Sequence, residues 1–268
     1  MANKLNDSPF KITSQMINGI ARATGKSVDD VVKMIRKGRE MTPDERLERD
    51  KAFTSEALQK LTEDKIQAFY DASLWGQGRA QHFTLANWDI TRQQNQEKAR
   101  AIGNKAFVIA KQLKTSSFNV LLTGDVGSGK TALALSIMHE VNKTKTAMFV
   151  SVVEWKRMRL ATVDKRVPIE KLDRLNAMMQ HVDVLILDDL GKESKPMDRN
   201  GNGGATQDTN NMLFGLGDAR MKKTTIVTTN DSQVELANKY DAAAISRLIT
   251  KNPDRTISTK GLEDVRQV

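Results

Sequence analysis

The spacing of apolar residues along this chain changes near residue 118. Before it, the spacing is helical. Ile12, Met16, Ile17 and Ile20 share one face, and Gly25 stands where that helix should stop. Ser27-Val28-Asp29-Asp30 has the form of a capping box opening a second helix, with Val28, Val31, Val32 and Ile35 inward and Gly38 at its end. Thr42-Pro43-Asp44-Glu45 is a stronger start signal: a Thr N-cap, proline at the first helical position, and Glu three residues after the cap. Leu47, Ala57, Leu58 and Leu61 partly line that third helix. A further helix is predicted from about Thr62 to Leu74, carrying Ile66, Phe69 and Tyr70. Gly76-Gln77-Gly78 then breaks the pattern. Phe83, Leu85 and Trp88 lie in an aperiodic stretch and are expected to pin it to the following domain. Helical spacing returns with Ala99, Ile102, Ala106, Ile109, Ala110 and Leu113.

From Phe118 onward, short apolar runs alternate with helical stretches. The runs are 118–123, 146–152, 182–187, 224–229 and a short, weaker 256–259. Strand alternating with helix predicts an α/β fold, a parallel five-stranded sheet flanked by helices on both faces. The 268 residues accommodate one large domain and a smaller one. The expected division is an N-terminal all-helical domain over 1–75, a linker over 76–94, and the α/β domain over 95–268.

The first strand leads into Gly124-Asp125-Val126-Gly127-Ser128-Gly129-Lys130-Thr131, and a helical run comes next. This is G-x-x-x-x-G-K-[ST] in the strand-to-helix setting that gives the motif its meaning. Glycines let successive backbone N–H groups curl round a phosphate, and the helix N-terminus adds partial positive charge. Lys130 can reach the β- and γ-phosphates, and the Thr131 hydroxyl can ligate Mg²⁺. The third strand, Val184-Leu185-Ile186-Leu187, delivers Asp188-Asp189 at the carboxyl edge of the sheet. Asp188 is placed to hold the Mg²⁺ and Asp189 to polarise the attacking water. The fourth strand ends in Thr228-Thr229-Asn230, where an amide can touch both the γ-phosphate and the lytic water.

Composition narrows the setting. A formal charge of +9 points to an acidic partner, nucleic acid first, or to a merely basic protein. The absence of cysteine excludes disulfides, cysteine-ligated zinc and a cysteine nucleophile, and His82, His139 and His181 are too scattered for a metal site. No apolar run approaches the ~18 residues of a membrane span, and the N-terminus lacks a signal-peptide core, so a cytoplasmic protein with no membrane partner is expected. The two short helices joined through Thr24-Gly25-Lys26 fit either a DNA-reading helix-turn-helix or a helical partner-docking arm.

The stretch from about Asn95 to the end resembles the AAA+ helicase loaders of the DnaC/DnaI type and their relatives, the IstB transposition helper ATPases. The matching blocks are Leu122 to Thr131, Leu187-Asp-Asp-Leu-Gly-Lys-Glu193, Leu213-Phe-Gly-Leu-Gly-Asp-Ala-Arg220, Thr224-Thr-Ile-Val-Thr-Thr-Asn230 and Ile245-Ser-Arg-Leu248. The resemblance implies an AAA+ P-loop (ASCE) fold that binds ATP and Mg²⁺; unlike the family's usual form, few residues follow the fifth strand, so no substantial C-terminal lid is expected. In that family, Asn230 is sensor 1 and Arg247 looks like the arginine finger that completes a neighbouring subunit's site. Arg220 resembles a second arginine on the same subunit edge, and Arg266 the family's terminal arginine. Two features depart from the family: Asp189 stands where many AAA+ enzymes have Glu, implying slow hydrolysis, and a cysteine-bound zinc like that of the DnaI N-terminal domain is impossible here.

In the loaders, the region after the second strand faces single-stranded DNA. Here it is Glu154-Trp155-Lys156-Arg157-Met158-Arg159. Trp155 can stack on a base while Lys156, Arg157 and Arg159 hold phosphates, or it can be buried with the charges solvated. Between Ser194 and Asp208 the chain is Gly/Asn-rich and apolar-poor, which predicts a mobile loop, with Lys195 and Arg199 as further phosphate contacts. The resemblance therefore implies an ATPase that forms a homo-oligomer when ATP-bound, grips single-stranded DNA and loads a hexameric, DnaB-like replicative helicase. The alternatives are an IstB-like helper acting on duplex DNA with a transposase, and a non-hydrolysing ATP switch.

Overall fold

The structure is a computed structural model that describes residues 13–78, 80–195 and 203–264. Ile12, Arg199 and Arg266 lie outside the described residues, as does the part of the Ser194–Asp208 stretch from 196 to 202. The chain divides into two compact units, Met1–Thr62 and Glu63–Val268.

In the first unit, α1 (Ser14–Thr24) is capped by Thr13, whose side chain accepts the Met16 N–H. It ends at Gly25, left-handed at φ 65°, as its position in the pattern requires. Helix α2 (Val28–Glu40) starts from Ser27, which accepts the Asp30 N–H. Ala21 and Val31 are buried where these helices meet. The helix α3 (Pro43–Asp71) opens with the reciprocal cap read from the sequence: Glu45 N–H to Thr42 Oγ1 and Thr42 N–H to Glu45 Oε2. Two helices were expected between Thr42 and Leu74, but there is one. No glycine or proline interrupts 44–71. Thr54 and Thr62 turn their hydroxyls back onto the carbonyls of Asp50 and Leu58, so neither threonine ends the helix.

The second unit is built on five parallel strands, β1 (Val120–Thr123), β2 (Ala147–Ser151), β3 (Val184–Leu190), β4 (Thr224–Thr229) and β5 (Thr256–Ser258), in the order β2-β3-β4-β1-β5. Alternation along each strand divides the core in two. On one face Val120, Leu122, Phe149, Val184, Ile186 and Ile226 pack against α4 (Gln96–Leu113) and α5 (Lys130–Val141). On the other, Leu121, Met148, Val150, Leu185, Leu187 and Val227 pack with residues of α6 (Val152–Val163), α7 (Ile169–His181), α8 (Gln207–Ala219), α9 (Gln233–Lys239) and α10 (Ala242–Ile245). Both faces are covered, so the strands read as continuous apolar runs.

The residues between α3 and α4 pack on this core. Leu74 bridges Val150 on the open edge of β2, and the Trp75 ring stacks on Phe149 with centroids 4.6 Å apart. Trp88 donates its indole N–H to the Ala99 carbonyl at 2.9 Å. An edge strand is thereby partly covered and the start of α4 is tied down.

Candidate nucleotide-binding site

The turn from β1 to α5 takes the conformation its glycines permit. Gly124, Gly127 and Gly129 have φ of 146°, 79° and 88°, values an L side chain rarely adopts. Close approach constrains all three further. A Cβ on Gly129 would lie 2.6 Å from the Trp88 ring, one on Gly124 2.3 Å from Thr259 Oγ1, and one on Gly127 1.9 Å from Asp264 Cγ. Behind this loop the segment after β5 is fastened down: Ser128 and Thr259 share a hydroxyl hydrogen bond at 2.6 Å, and the Gly261 N–H reaches Asp125 Oδ2 at 3.0 Å. The sequence pattern held no sign of Trp88 or Thr259 as parts of this site, because nothing local links either to the loop.

Lys130 is buried and donates from Nζ to the carbonyls of Gly124 and Asp125 at 3.0 and 2.6 Å. Burial pulls its pKa below the ordinary lysine value, while Asp189, Asp125 and Asp188 pull the other way. Thr131 Oγ1 donates to Asp188 Oδ1 at 2.9 Å, which joins the loop to the third strand. In the sheet, β4 lies between those two strands, and its Thr228 closes the gap. The Thr228 hydroxyl donates to the same Asp188 oxygen at 2.7 Å and accepts the Asp189 N–H at 2.9 Å. Burial, and next the Asp189 charge, push the Asp188 carboxyl up to about 6, against the two hydroxyls that favour its ionised form.

A hydroxyl and a carboxylate brought together are hard oxygen donors, the set that suits Mg²⁺. Thr131 and Asp188 would hold that ion. When bound, it neutralises charge on the β- and γ-phosphate oxygens.

Asp189 sits at a break in the ladder. Leu187 pairs with Val227 and Leu190 with Thr229, so β3 carries one residue more than β4 across this interval. Asp189 takes φ 61° there, at a cost of roughly 1–2 kcal/mol for a residue with a Cβ. Its carboxylate pairs with Lys192 at 2.7 Å. Sensor candidate Asn230 comes after β4 in a turn tied on both flanks, through Thr229 Oγ1 to the Leu190 carbonyl and through Thr123 Oγ1 to the Asp231 carbonyl. It therefore stands between the end of β1, which leads into the P-loop, and the part of β3 that carries Asp188.

The two arginines of the edge separate clearly. Arg220 is 2% exposed. It donates to the carbonyls of Met179, Val182 and Thr224 and to Thr225 Oγ1, and with Lys223 it satisfies the C-terminal carbonyls of α7. Burial lowers it to about 9, so it stays charged at neutral pH. Arg220 is thus a structural clamp; the expected place on a subunit edge is corrected by its burial. Arg220→Met should destabilise the fold by roughly 3–5 kcal/mol, since several buried carbonyls lose their donor; the midpoint of chemical unfolding checks this. Arg247 is partly exposed. Its guanidinium lies 4.8 Å over the Phe214 ring, its Nε is 3.4 Å from Asp218 Oδ1, and its carbonyl accepts from Asn119 Nδ2 at 2.6 Å.

Of the proposed DNA contacts, Trp155 is corrected. It is 3% exposed, within the α6–α8 core, and donates its indole N–H to Asn176 Oδ1, so its face is closed to a base. Lys156 donates to the Glu193 carbonyl, Arg157 pairs with Glu154, and Arg159 pairs with Asp208. Lys195 is exposed and its backbone pairs with Gly204. Among the described residues no helix is long and apolar enough to cross a membrane.

A P-loop on the second-from-edge strand of a parallel sheet, with an acidic strand end joined to it across a third strand, defines a P-loop nucleotide-binding protein. The chain belongs to the IstB-like ATP binding protein family, whose model matches residues 78–250. It is an ATP-binding protein of the IstB/DnaC type. The comparison with curated proteins finds no match. Among solved structures it is similar to DnaI, at 21% identity over 68% of this chain and 90% of that one, with a TM-score of 0.47. It is also similar to the DnaC helicase loader, at 16% identity over 60% and 89% with a TM-score of 0.45. AMPPCP-bound DnaA from Aquifex aeolicus matches at 18% identity over 62% and 47%, with a TM-score of 0.47. The chain spans about half the length of the replication initiators it matches, 46% and 47% of the two.

Proposed function

We propose that this protein is an ATP-dependent loader of a hexameric replicative DNA helicase onto single-stranded DNA, active as an assembly in which each copy lends Arg247 to its neighbour. The observation that carries the assembly is where Arg247 is anchored. Its carbonyl is held by Asn119, which precedes β1, whereas the P-loop lies after β1. The four residues of β1 lie between these points, about 16 Å of extended chain from Asn119 to Gly124, so Arg247 is anchored beyond the opposite end of the strand from its own Lys130. A guanidinium placed there serves another copy's γ-phosphate, and hydrolysis then depends on assembly.

In this reading Lys130 and the loop 124–131 bind the triphosphate, Asp188 and Thr131 take the metal, and Asn230 contacts the γ-phosphate. Asp189 would polarise water once released from Lys192, which fits slow hydrolysis. DNA would be held through its phosphates by the surface cations Arg157 and Lys195, without stacking on Trp155. The N-terminal helices would dock the helicase; Met16, Ile20 and Met34 leave apolar surface exposed there. The test is reconstitution: with ATP, the protein is expected to place a replicative helicase that co-purifies with it on closed circular single-stranded DNA. Failure to load any helicase it co-purifies with would remove the reading.

The family match favours a second reading, an IstB-like transposition helper. It predicts preference for duplex over single-stranded DNA of equal length at a fixed salt concentration, the reverse of the first.

A further inference from the structure

Arg247 is held on four sides by its neighbours in the fold. The root of its side chain lies against Gly217 of α8, where an added Cβ would stand 3.1 Å from Arg247 Cβ and 3.3 Å from Leu248 Cγ. Its carbonyl is tied to Asn119, which also accepts the Thr225 N–H and so fixes it to the sheet. The guanidinium is stacked over Phe214, itself 41% exposed. Asp218, one helical turn from Phe214 on α8, approaches from the Nε side at 3.4 Å.

The side of approach matters. A carboxylate that took the two terminal nitrogens would occupy the fork that grips a phosphate. Asp218 takes Nε instead, while one terminal nitrogen makes a long 3.5 Å contact with the Ala243 carbonyl. A contact to Nε sets the direction of the guanidinium and leaves its other terminal nitrogen for another molecule. An exposed pair of this kind adds little to stability. Its effect is therefore on orientation.

We propose that Asp218, with Phe214, is a positioning residue that aims Arg247 at the γ-phosphate of ATP bound to a second copy of this chain. The inference rests on Arg247 acting in trans, as proposed for the assembly. A flexible side chain that must find a phosphate across an interface loses less conformational freedom if it is already held, and a small misplacement at a reacting centre costs much in rate.

The experiment uses the full chain and measures steady-state ATP hydrolysis against protein concentration, together with ATP affinity for the dilute protein. Asp218→Ala is expected to lower kcat about tenfold, with the KM for ATP and the melting temperature nearly unchanged, and Asp218→Glu to restore most of the rate. In an Arg247→Ala background, Asp218→Ala should have no further effect, because it acts through the arginine. An additive loss in that double variant, or a kcat untouched by Asp218→Ala and by the isosteric Asp218→Asn, overturns the positioning role while leaving the trans-acting arginine standing. Arg247→Ala hydrolysing at the wild-type rate overturns both.

Discussion

Lys130→Ala is expected to abolish ATP binding and, with it, every nucleotide-dependent property of the protein. The ammonium is buried inside its own loop, and its two contacts are to backbone carbonyls, so it is poised by the loop for a phosphate placed there. Charge-assisted hydrogen bonds contribute roughly 1.5–3 kcal/mol each, so losing two from the ammonium to phosphate oxygens weakens binding by about two to four orders of magnitude. Thermal unfolding reads this directly. At about a hundred times its dissociation constant a ligand stabilises the native state by roughly 2.7 kcal/mol, which raises Tm by about 5–10 °C in a protein of this size. The wild type should show that shift with Mg-ATP and the variant none. A variant still stabilised by Mg-ATP would remove the P-loop as the nucleotide site.

Asp188→Asn should separate stability from catalysis, raising the first and ending the second. The Asp188 carboxyl sits above the ordinary aspartate value, at about 6, chiefly because it is buried. The folded protein therefore holds a proton that the unfolded chain gives up between about pH 4 and 6. This group's contribution to stability is most favourable at and below about pH 4, falls as pH rises through 6, and above that reaches a penalty of roughly 3 kcal/mol. Asparagine keeps an Oδ1 for the Thr131 and Thr228 hydroxyls but carries no charge. The nucleotide-free variant should gain up to about 3 kcal/mol at pH 7 and nothing at pH 4, as chemical denaturation at the two pH values would show. Metal-dependent hydrolysis should fall by at least about a hundredfold, since the cation loses its charged ligand. In the wild type, protonation of Asp188 should depress hydrolysis at low pH, with a midpoint below 6 because the bound cation favours the carboxylate. An Asn variant less stable than wild type at pH 7 would show that the ionised carboxylate is a net support of the fold.

Both predictions rest on residues legible in the amino-acid order, because the signals that reveal them are local. The apolar runs ending at Thr123, Leu187 and Thr229 mark strands buried on both faces, and the polar residues after them must emerge at the carboxyl edge. The glycines of 124–129 are demanded by left-handed backbone, and Thr42-Pro43-Asp44-Glu45 by the cap it forms. Each depends on neighbours within a few residues. Where the local signal was balanced, it misled. Thr62 is as good a cap as a helix interior residue, and only its bond to the Leu58 carbonyl shows which it is.

The P-loop, the acidic strand end and the parallel α/β sheet are all readable in the amino-acid order, because they are written in the order and period of adjacent residues. Only contacts distant in sequence show which of two similar arginines is buried as a clamp and which stays partly exposed. Arg220 and Arg247 both come after apolar helical stretches, but only the fold brings the carbonyls of Met179, Val182 and Thr224 round the first. Only the fold sets Phe214 and Asp218 beside the second. The same holds for Trp155, whose partner Asn176 comes from the next helix. It holds too for Thr228, which donates to the Asp188 carboxylate because β4 inserts between β1 and β3. Burial and strand order are properties of contacts distant in sequence, and no local period encodes them.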